Sequence, residues 1–291
     1  MKIVITGVSG QLGSELARTA PKQWQVTGVD LPDWDVTQSS AEDELLRRRP
    51  HLVLNAAAYT AVDRAEEDRE TAFAVNAAGA ARVADACRRV GARLVHLSTD
   101  FVFDGTQGRP YRPDDTPKPL SVYGASKLEG EKLVKEILGE RVRIVRTSWL
   151  YSRFGRNFVL TMLSLLRDRP QVKVVTDQVG TPTWAGDLAR ALWRLAELDW
   201  DDIGSVLHWS DAGVASWYDF ALAIQEEATE RGLLADRSTL IPISTADYPV
   251  PAAPRPFYSV LDKTDTWAWL GRRSRHWREA LRDMLDELVV G

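Results

Sequence analysis

Apolar residues in the first half of the chain occur in short continuous runs separated by stretches of helical spacing. Continuous runs of this length predict strands buried on both faces, here Met1–Ile5, Gln25–Val29, His51–Asn55, Arg93–Ser98 and Val142–Thr147. Helical periodicity predicts helices at Gln11–Ala20, Glu70–Val90 and Leu120–Leu138. Strands that alternate with helices in this way predict a parallel sheet covered on both faces, with ligands at the carboxyl ends of the strands.

The second half of the chain has a less regular pattern, as a substrate-binding portion often does. A helix is predicted at Asn157–Arg167, a strand at Val172–Thr176, and a loop at Asp177–Thr183 that precedes another helix. We therefore expect an α/β protein with a Rossmann-type, doubly wound parallel sheet and a smaller, interleaved C-terminal substrate-binding domain. The expected boundaries are 1–147 for the dinucleotide-binding domain, with a later return to it at about 184–210, and 148–291 for the substrate-binding portion.

Composition and charge narrow the class of protein. The chain has 291 residues and a formal net charge of −4, which offers no basic footprint for nucleic acid. No apolar run has membrane-spanning length, and a first strand that begins at residue 2 leads us to expect no signal sequence. Cys87 is the single cysteine, and the four histidines show no metal-ligand spacing. We expect a soluble cytoplasmic protein that binds neither nucleic acid nor a membrane.

The first predicted strand leads directly into a glycine-rich turn, Thr6-Gly-Val-Ser-Gly-Gln-Leu-Gly13, that opens the first helix. A strand, such a turn and a helix match the dinucleotide-binding arrangement. Gly7 is expected to permit the tight turn, Gly10 to let pyrophosphate approach the backbone, and Gly13 to let helix and strand pack closely. The phosphates would lie at the positive end of the helix. The spacing is G-x-x-G-x-x-G, not the tighter G-x-G-x-x-G, and alone it is weak evidence. It indicates a dinucleotide site here because a predicted strand precedes the turn and a predicted helix follows it.

Acidic and small residues at later strand ends refine the cofactor prediction. Asp30 lies at the distance from the glycines where a carboxylate accepts hydrogen bonds from ribose hydroxyls. Neither Arg nor Lys occurs in the glycine turn or just after Asp30 to meet a 2′-phosphate, so NADH is expected to bind better than NADPH. Asp35 lies either near the adenine or at a helix cap. Ala56, Ala57 and Ala58 close the third strand with small side chains against which a cofactor can lie.

Two short segments predict the chemistry, Ser98-Thr-Asp100 at the end of the fourth strand and Tyr123-Gly-Ala-Ser-Lys127. Tyr123 and Lys127 are four residues apart and share one helix face. The ammonium is expected to stabilise the phenolate and to bring its pKa, ordinarily about 10, nearer to neutral. A hydroxyl from Thr99 could hold a substrate oxygen beside the tyrosine, which would make a proton-relay site for a carbonyl or alcohol. The alternative is an ordinary helix pair, because this spacing is common by chance.

Two residues of the second half are further candidates for ligand contact. Trp149 follows a sheet strand and is expected to project over the cleft. The proline-rich segment Pro249–Pro256 predicts a rigid extended stretch that presents Arg255 to a phosphate. The alternative for that stretch is a surface linker with a solvated arginine.

Taken together, these segments resemble the extended short-chain dehydrogenase/reductase superfamily and, within it, the dTDP-4-dehydrorhamnose reductases. The resemblance runs essentially from end to end. The motifs that carry it are Gly7–Gly13, Asn55–Asp63, Ser98–Gly105, Tyr123–Lys127, Arg146–Trp149 and Asp177–Thr183. The first and the fourth belong to the whole superfamily, whereas Thr-Asp-Phe-Val-Phe-Asp-Gly is much more particular.

The resemblance implies a reaction and a role for each matching residue. NADH or NADPH would reduce the 4-keto group of dTDP-4-dehydro-6-deoxy-L-mannose to dTDP-L-rhamnose, for rhamnose-containing polysaccharides. Tyr123 would protonate the alkoxide, Thr99 would hydrogen-bond to the same oxygen, and Lys127 would bind the nicotinamide ribose. The implied cofactor-binding residues are Gly7, Gly10, Gln11, Leu12, Gly13, Asp30, Asp35, Val36, Ala56, Ala57, Ala58, Tyr123 and Lys127. The implied substrate-binding residues are Thr99, Asp100, Trp149, Asn157 and Arg255, of which the last two would address the diphosphate.

The resemblance also bears on a metal and on the oligomeric state. Some family members place a magnesium ion between subunits on glutamates. Glu15 matches one of those positions and is a weak candidate ligand, but the later position is Asp187 here. We therefore favour a solvated glutamate at position 15, and a monomer or a homodimer.

Related enzymes differ at the position after the Thr-Asp pair. Nucleotide-sugar 4,6-dehydratases have a glutamate where this chain has Phe101, so elimination chemistry is disfavoured here. Sugar 4-epimerases tend to lack the aspartate that corresponds to Asp100. Two alternatives stay open: a reductase of another nucleotide-linked 4-keto-deoxysugar, and a non-catalytic regulatory subunit resembling that of methionine adenosyltransferase.

Overall fold

The computed structural model describes residues 1–235, 238–248 and 253–290. The strands are β1 (Lys2–Thr6), β2 (Gln25–Val29), β3 (Leu52–Asn55), β4 (Arg93–Thr99), β5 (Val142–Thr147), β6 (Leu150–Tyr151), β7 (Gln171–Val175), β8 (Val179–Gly180), β9 (Thr183–Trp184), β10 (Val206–His208), β11 (Ala215–Ser216) and β12 (Thr239–Ile243). The helices are α1 (Gln11–Arg18), α2 (Ser39–Arg48), α3 (Val62–Glu67), α4 (Arg69–Phe73), α5 (Ala80–Val90), α6 (Val122–Leu138), α7 (Phe158–Asp168), α8 (Ala185–Glu197), α9 (Trp217–Glu230), α10 (Thr264–Leu270) and α11 (Trp277–Val290). A π-helix (Ala74–Gly79) joins α4 to α5. None of the helices within these ranges is both long and apolar enough to cross a membrane.

The central sheet has six parallel strands in the order β2-β1-β3-β4-β5-β10. The strand order reverses at β1, which has β2 on one side and β3 on the other. Ligands of open α/β sheets bind in the crevice outside the carboxyl ends of the strands at such a reversal. The Rossmann-type, doubly wound fold expected from the sequence is confirmed.

Side chains that alternate along the buried strands form one apolar layer on each face of the sheet. Ile5 packs with Leu16 of α1 and Leu192 of α8 on one face. Val4, its neighbour in sequence, packs with Leu45 of α2 on the other face. Each fully buried aliphatic side chain contributes about 1.5–3 kcal/mol, so both layers stabilise the sheet and fix the strand ends that carry the site.

The later residues form a third apolar cluster and also return to the sheet. Helices α7, α9 and α11 pack around Tyr151, Phe220 and Leu281, beside the parallel pair of β7 and β12. By contrast, α8 packs against α1, and β10 pairs with β5 at the edge of the central sheet. The chain therefore leaves the sheet after β5 and comes back to complete it.

The single helix expected at Glu70–Val90 is wrong in detail, because the π-helix separates α4 from α5. The wider turn lies where α6 crosses: a Cβ added to Gly130 would lie 2.1 Å from the carbonyl oxygen of Asn76. The side chain of Asn76 accepts a hydrogen bond from the Tyr59 backbone N–H (2.9 Å) and donates one to the Tyr59 carbonyl oxygen (3.0 Å). We attribute the π-helix to this close crossing of α6, which the helical periodicity of the sequence does not predict.

The loop expected at Asp177–Thr183 contains the two-residue strand β8 and reaches the start of β9, and it precedes α8 as expected. The rigid stretch expected at Pro249–Pro256 lies in part outside the described residues, since these omit residues 249–252.

Candidate active site

The glycine turn between β1 and α1 is packed against the end of β3. Gly7 has φ +72°, and a Cβ there would lie 2.7 Å from the backbone nitrogen of Ala57. A Cβ on Gly13 would lie 2.1 Å from the carbonyl oxygen of Gly7. Both positions therefore require glycine, one for its dihedral angle and both for space.

The backbone at the start of α1 is open to a ligand. Gly10 is the N-cap residue, and within α1, which is described throughout, no side chain caps the helix and no acidic residue lies in the first turn. A Cβ added to Gly10 would meet, among the described residues within 4 Å, only the carbonyl oxygen of Gly7, at 3.3 Å. The N–H groups and the positive end of the helix are thus available to an anion, and they fit the pyrophosphate of a dinucleotide.

The carboxylate of Asp30 is held beside this turn by two backbone donors. One oxygen accepts from the N–H of Ser9 (2.8 Å) and the other from the N–H of Leu31 (2.9 Å). Each oxygen has a second lone pair for a ribose hydroxyl. Asp35 instead accepts from the backbone N–H and the hydroxyl of Thr37 at 2.9 and 2.8 Å, which is a turn-forming role.

Thr99, Asp100 and Tyr123 meet at the carboxyl end of β4. The Thr99 hydroxyl donates to Asp100 Oδ1 at 3.0 Å, and it lies close enough to the phenol of Tyr123 to act on the pKa of that group. The ring of Phe101 packs against that of Tyr123 with an edge contact, at 5.7 Å between centroids. A Cβ added to Gly124 would lie 2.2 Å from the Phe101 carbonyl oxygen, so only glycine after the tyrosine lets α6 come this close.

Burial controls the protonation of the groups at this position. Burial raises the pKa of Tyr123 to about 12, against the lowering effect of the nearby Thr99 hydroxyl and together with the negative charge of Asp100. Burial also raises the pKa of Asp100 to about 6 and lowers the pKa of Lys127 to about 8, the latter against the charge of Glu131. Near neutral pH the phenol therefore keeps its proton, while Asp100 and Lys127 are mostly charged.

The lowering of the tyrosine pKa that the sequence suggested is not found. Lys127 is on the same face of α6 as Tyr123, but its ammonium donates to the carbonyl oxygen of Leu97 at 2.6 Å. Desolvation of the phenol outweighs any effect of the lysine, because Tyr123 is surrounded by the apolar side chains of Val62, Ala72 and Phe101.

A buried ion pair behind the lysine was not predicted from the sequence. Glu131 accepts from the Ser98 hydroxyl (2.5 Å) and from Arg146 Nε and Nη2 (2.9 and 2.7 Å). Arg146 in turn lies 3.4 Å from Nε2 of His208, whose Nδ1 faces the carbonyl oxygen of Tyr111 at 3.1 Å. The one available signal was that Glu131 follows Lys127 by four residues and so shares its helix face.

The other three residues expected to bind substrate, Trp149, Asn157 and Arg255, each contact another part of the chain. Trp149, with φ +46°, stacks on Trp217 at 3.5 Å between centroids. Asn157 caps α7 by accepting from the N–H of Leu160 (3.1 Å) and donates to the carbonyl oxygen of Ser152 (2.7 Å). Arg255 donates to both carboxylate oxygens of Asp63 on α3.

The expectation that Glu15 is solvated is wrong. Its side chain is fully buried, and its carboxylate accepts from Arg18 at 2.6 Å and from the Ser152 hydroxyl at 2.8 Å. The contact with Ser152 joins α1 to the second half of the chain. Asp187, the other residue weighed as a metal ligand, pairs with Arg190 and Arg275. Within residues 1–235, 238–248 and 253–290, no three His, Cys, Asp or Glu side chains are grouped to hold a metal ion.

Known proteins match this chain over nearly its whole length. The family model for the RmlD substrate binding domain matches residues 1–290. A dTDP-4-dehydrorhamnose reductase of Mycobacterium tuberculosis (strain H37Rv) is 43% identical in an alignment that covers 98% of this chain and 92% of that protein. The crystal structure of a dTDP-4-dehydrorhamnose reductase of Bacillus anthracis in complex with NADP has a TM-score of 0.91 and 36% identity, covering 98% of this chain and 99% of that one. A probable dTDP-4,6-dihydroxy-2-methyloxan-3-one 4-ketoreductase of Streptomyces antibioticus is 40% identical, covering 100% of this chain and 96% of that protein.

The buried His208 predicts loss of stability in mild acid. Burial and the neighbouring Arg146 lower its pKa from 6.5 to about 3, so between these values only the unfolded chain takes up the proton. His208→Gln should therefore reduce the loss of unfolding free energy between pH 7 and pH 5 by about 2 kcal/mol, as measured by urea unfolding at each pH. His51→Gln, at an exposed position, is the control. Equal pH dependence in wild type and His208→Gln would contradict the assignment.

Proposed function

The chain belongs to the RmlD substrate-binding-domain family, and we propose that it uses NADH or NADPH to reduce the keto group of a nucleotide-linked sugar. The observation that carries this proposal is the buried pair of neighbouring side chains Thr99 and Tyr123. It lies at the carboxyl end of β4, in the same sheet whose β1 ends in the open glycine turn. A proton donor is thus held on the side of the sheet where a dinucleotide fits.

The substrate is dTDP-4-dehydro-6-deoxy-L-mannose and the product is dTDP-L-rhamnose, for rhamnose-containing polysaccharides. The support is the 43% identity to the Mycobacterium tuberculosis reductase and the 0.91 TM-score to the Bacillus anthracis enzyme, both over nearly the full chain. The residue after Asp100 agrees with simple reduction. Phe101 places an aromatic ring against Tyr123, where a base for elimination would need a carboxylate.

The reaction needs one hydride and one proton at the two ends of the carbonyl bond. The reduced nicotinamide, when bound, supplies the hydride to C4 of the sugar. Tyr123 donates its phenolic proton to the alkoxide oxygen that develops, and the Thr99 hydroxyl holds the same oxygen by a hydrogen bond. A pKa of about 12 keeps Tyr123 protonated until the much more basic alkoxide forms. Asp100 orients the sugar hydroxyls, and Lys127 faces the nicotinamide ribose.

The cofactor is held along the ends of β1, β2 and β3. Gly7, Gly10 and Gly13 allow the close backbone, and the N-terminus of α1, with Gln11 and Leu12, binds the pyrophosphate. Asp30 accepts from the adenosine ribose, and Ala56 to Ala58 line the opposite wall. The buried side chain of Val36, which packs against the Gly79 position, contributes to the adenine side.

We also propose that the protein acts in the cytoplasm, where nicotinamide cofactors and nucleotide sugars are available, as a monomer or a homodimer. Size-exclusion chromatography with light scattering measures that state.

Removal of the phenolic hydroxyl should separate chemistry from binding. Tyr123→Phe is expected to lower kcat by about 10²- to 10⁴-fold, because a positioned proton donor contributes that much, while the Kd for NADH stays within about twofold. Turnover is followed by NADH absorbance with the dTDP-keto-sugar, and NADH binding by protein fluorescence. Tyr218→Phe, on the half-buried face of α9, is the matched control.

Two results would contradict the proposal. Wild-type activity in Tyr123→Phe would remove the proton-donor role. The absence of turnover by the wild-type protein, together with capture of a methionine adenosyltransferase subunit, would favour the regulatory alternative instead.

The Asp30 carboxylate should set the cofactor preference. Its charge repels a 2′-phosphate, so we expect a higher kcat/KM with NADH than with NADPH. Asp30→Ser should lower that ratio about tenfold, which corresponds to a lost repulsion of about 1.4 kcal/mol. Asp33→Ser, an exposed carboxylate in the same turn, controls for general charge. A ratio that Asp30→Ser leaves unchanged would show that another group selects the cofactor.

The pair of Arg255 and Asp63 should report on the diphosphate. Arg255 Nη1 and Nη2 donate to the two oxygens of Asp63 at 2.9 and 2.8 Å, and this contact lowers the pKa of Asp63. We propose that the diphosphate takes over these donors. Arg255→Ala should therefore raise KM for the dTDP-keto-sugar about tenfold or more with little change in kcat, whereas Asp63→Asn should leave KM equal or lower. Arg109→Ala, an exposed arginine paired with Asp115, is the control.

A second substrate has support from one relative. The Streptomyces antibioticus protein is a probable 4-ketoreductase of a different dTDP-linked sugar at 40% identity over the full chain. Competition between the two keto-sugars, with identification of the products by NMR, decides between them. The preferred substrate is the one with the higher kcat/KM.

A further inference from the structure

We propose that Glu131, fixed by Arg146 and Ser98, is a positioning residue that holds the end of β4 against α6, so that Thr99 and Lys127 stay in register with Tyr123. The inference rests on the proposed function, because it assumes that these three side chains act together on one substrate. Glu131 touches none of the three side chains by a hydrogen bond within the described residues. It acts through Ser98, the residue before Thr99, and through the effect of its charge on Lys127.

Two consecutive residues of β4 are bonded to two consecutive turns of α6. The carbonyl oxygen of Leu97 accepts from Lys127 Nζ at 2.6 Å, and the hydroxyl of Ser98 donates to Glu131 Oε1 at 2.5 Å. Lys127 and Glu131 are four residues apart and lie on the same face of the helix. Thr99 follows immediately, so its hydroxyl is placed by two fixed points just before it.

A third element locks the carboxylate in place. Arg146 of β5 lies directly across from Ser98 in the parallel register and grips both oxygens of Glu131. Its remaining nitrogen, Nη1, lies 3.3 Å from the carbonyl oxygen of Pro113 and 3.4 Å from His208 Nε2. The side chains of Arg146 and Glu131 are 4% and 5% exposed. Three donors therefore hold the carboxylate in one orientation, in which it accepts from the Ser98 hydroxyl.

Stability alone is a weak reason for this arrangement. Two buried charges lose their hydration, and an apolar pair of similar volume is often as stable or more stable. What an apolar pair lacks is direction: it cannot specify the angle at which Ser98 and α6 meet. The pair is therefore best explained by the geometry that it imposes on the neighbouring reactive groups.

The same carboxylate is the countercharge of the buried lysine. Two titratable groups interact electrostatically with Lys127, namely Glu131 on α6 and His96 on β4. Tyr123 precedes the lysine by one turn of α6, Asp100 follows the end of β4, and Arg146 on β5 and His208 on β10 lie beyond Glu131. His96 is neutral, because burial and the lysine hold its pKa well below 6.5. The π-helix packed against α6 contributes an uncharged side chain, Asn76. Loss of the Glu131 charge should thus lower the pKa of Lys127 below its present value of about 8.

The test compares Glu131→Gln with Glu129→Gln, which removes an equal charge from the exposed side of α6. Glu131→Gln should reduce kcat about ten- to a hundredfold with KM within about twofold, because a small misplacement of reacting groups has effects of this size. The alkaline limb of the pH–kcat profile should move to lower pH. Glu129→Gln should match wild type in both respects.

A second variant protects the test against misfolding. Ser98→Ala keeps the ion pair but removes the bond to β4, so it should lower kcat while leaving the alkaline limb in place. Thermal unfolding checks that each variant is folded at the assay temperature. If Ser98→Ala and folded Glu131→Gln both keep wild-type kcat and pH profile, the positioning role is refuted. If Glu131→Gln does not fold, unchanged kcat in Ser98→Ala alone refutes it.

A readout without substrate separates this inference from the proposed function. Lys127 faces the nicotinamide ribose, so the Kd for NADH measured by fluorescence should depend on pH through the lysine. Glu131→Gln should shift that dependence to lower pH, and Glu129→Gln should not. If wild type fails to turn over the dTDP-keto-sugar, the proposed function fails, yet this binding profile still decides whether Glu131 acts on Lys127.

Discussion

The close contact between α6 and the carboxyl end of β4 is the constraint on which the candidate site depends. Gly124 lies against the carbonyl of Phe101 and Gly130 against that of Asn76, and a Cβ at either would be 2.2 or 2.1 Å from that oxygen. Helix α6 can therefore lie close to the end of β4 and to the π-helix along its first half. This approach brings the phenol of Tyr123 to the hydroxyl of Thr99 and the ammonium of Lys127 to the backbone of Leu97.

That closeness removes water, and the loss of water explains the electrostatics of the site. A phenol with a pKa of about 12, a carboxylate at about 6 and an ammonium at about 8 all owe their main shift to burial. Buried polar groups need partners, and here Ser98, Glu131 and Arg146 supply them to one another. The same apolar surroundings that keep the tyrosine protonated thus demand the polar network behind the lysine.

Much of the fold was readable from the sequence, because strand runs, glycine turns and helix faces are local patterns. The buried strands, the turn at Gly7 and the shared face of Tyr123 and Lys127 all follow from spacing within a few residues. The rest depends on partners distant in the chain. Trp149 stacks on Trp217, Arg255 pairs with Asp63, and Glu15 is covered by Ser152, contacts that join separate parts of the molecule. We likewise attribute the π-helix around Asn76 to the crossing of α6, and the residues of the π-helix itself carry no sequence pattern that predicts this crossing.

The return of the chain to its first sheet means that the molecule cannot be cut into two working halves. A fragment that stopped after β5 would lose β10 and make β5 an edge strand, paired only with β4. It would also lose α8, whose leucines cover Leu12 and Leu16 of the helix that follows the glycine turn. Such a truncated protein would expose a large apolar surface and aggregate, so the protein should be expressed as the full chain.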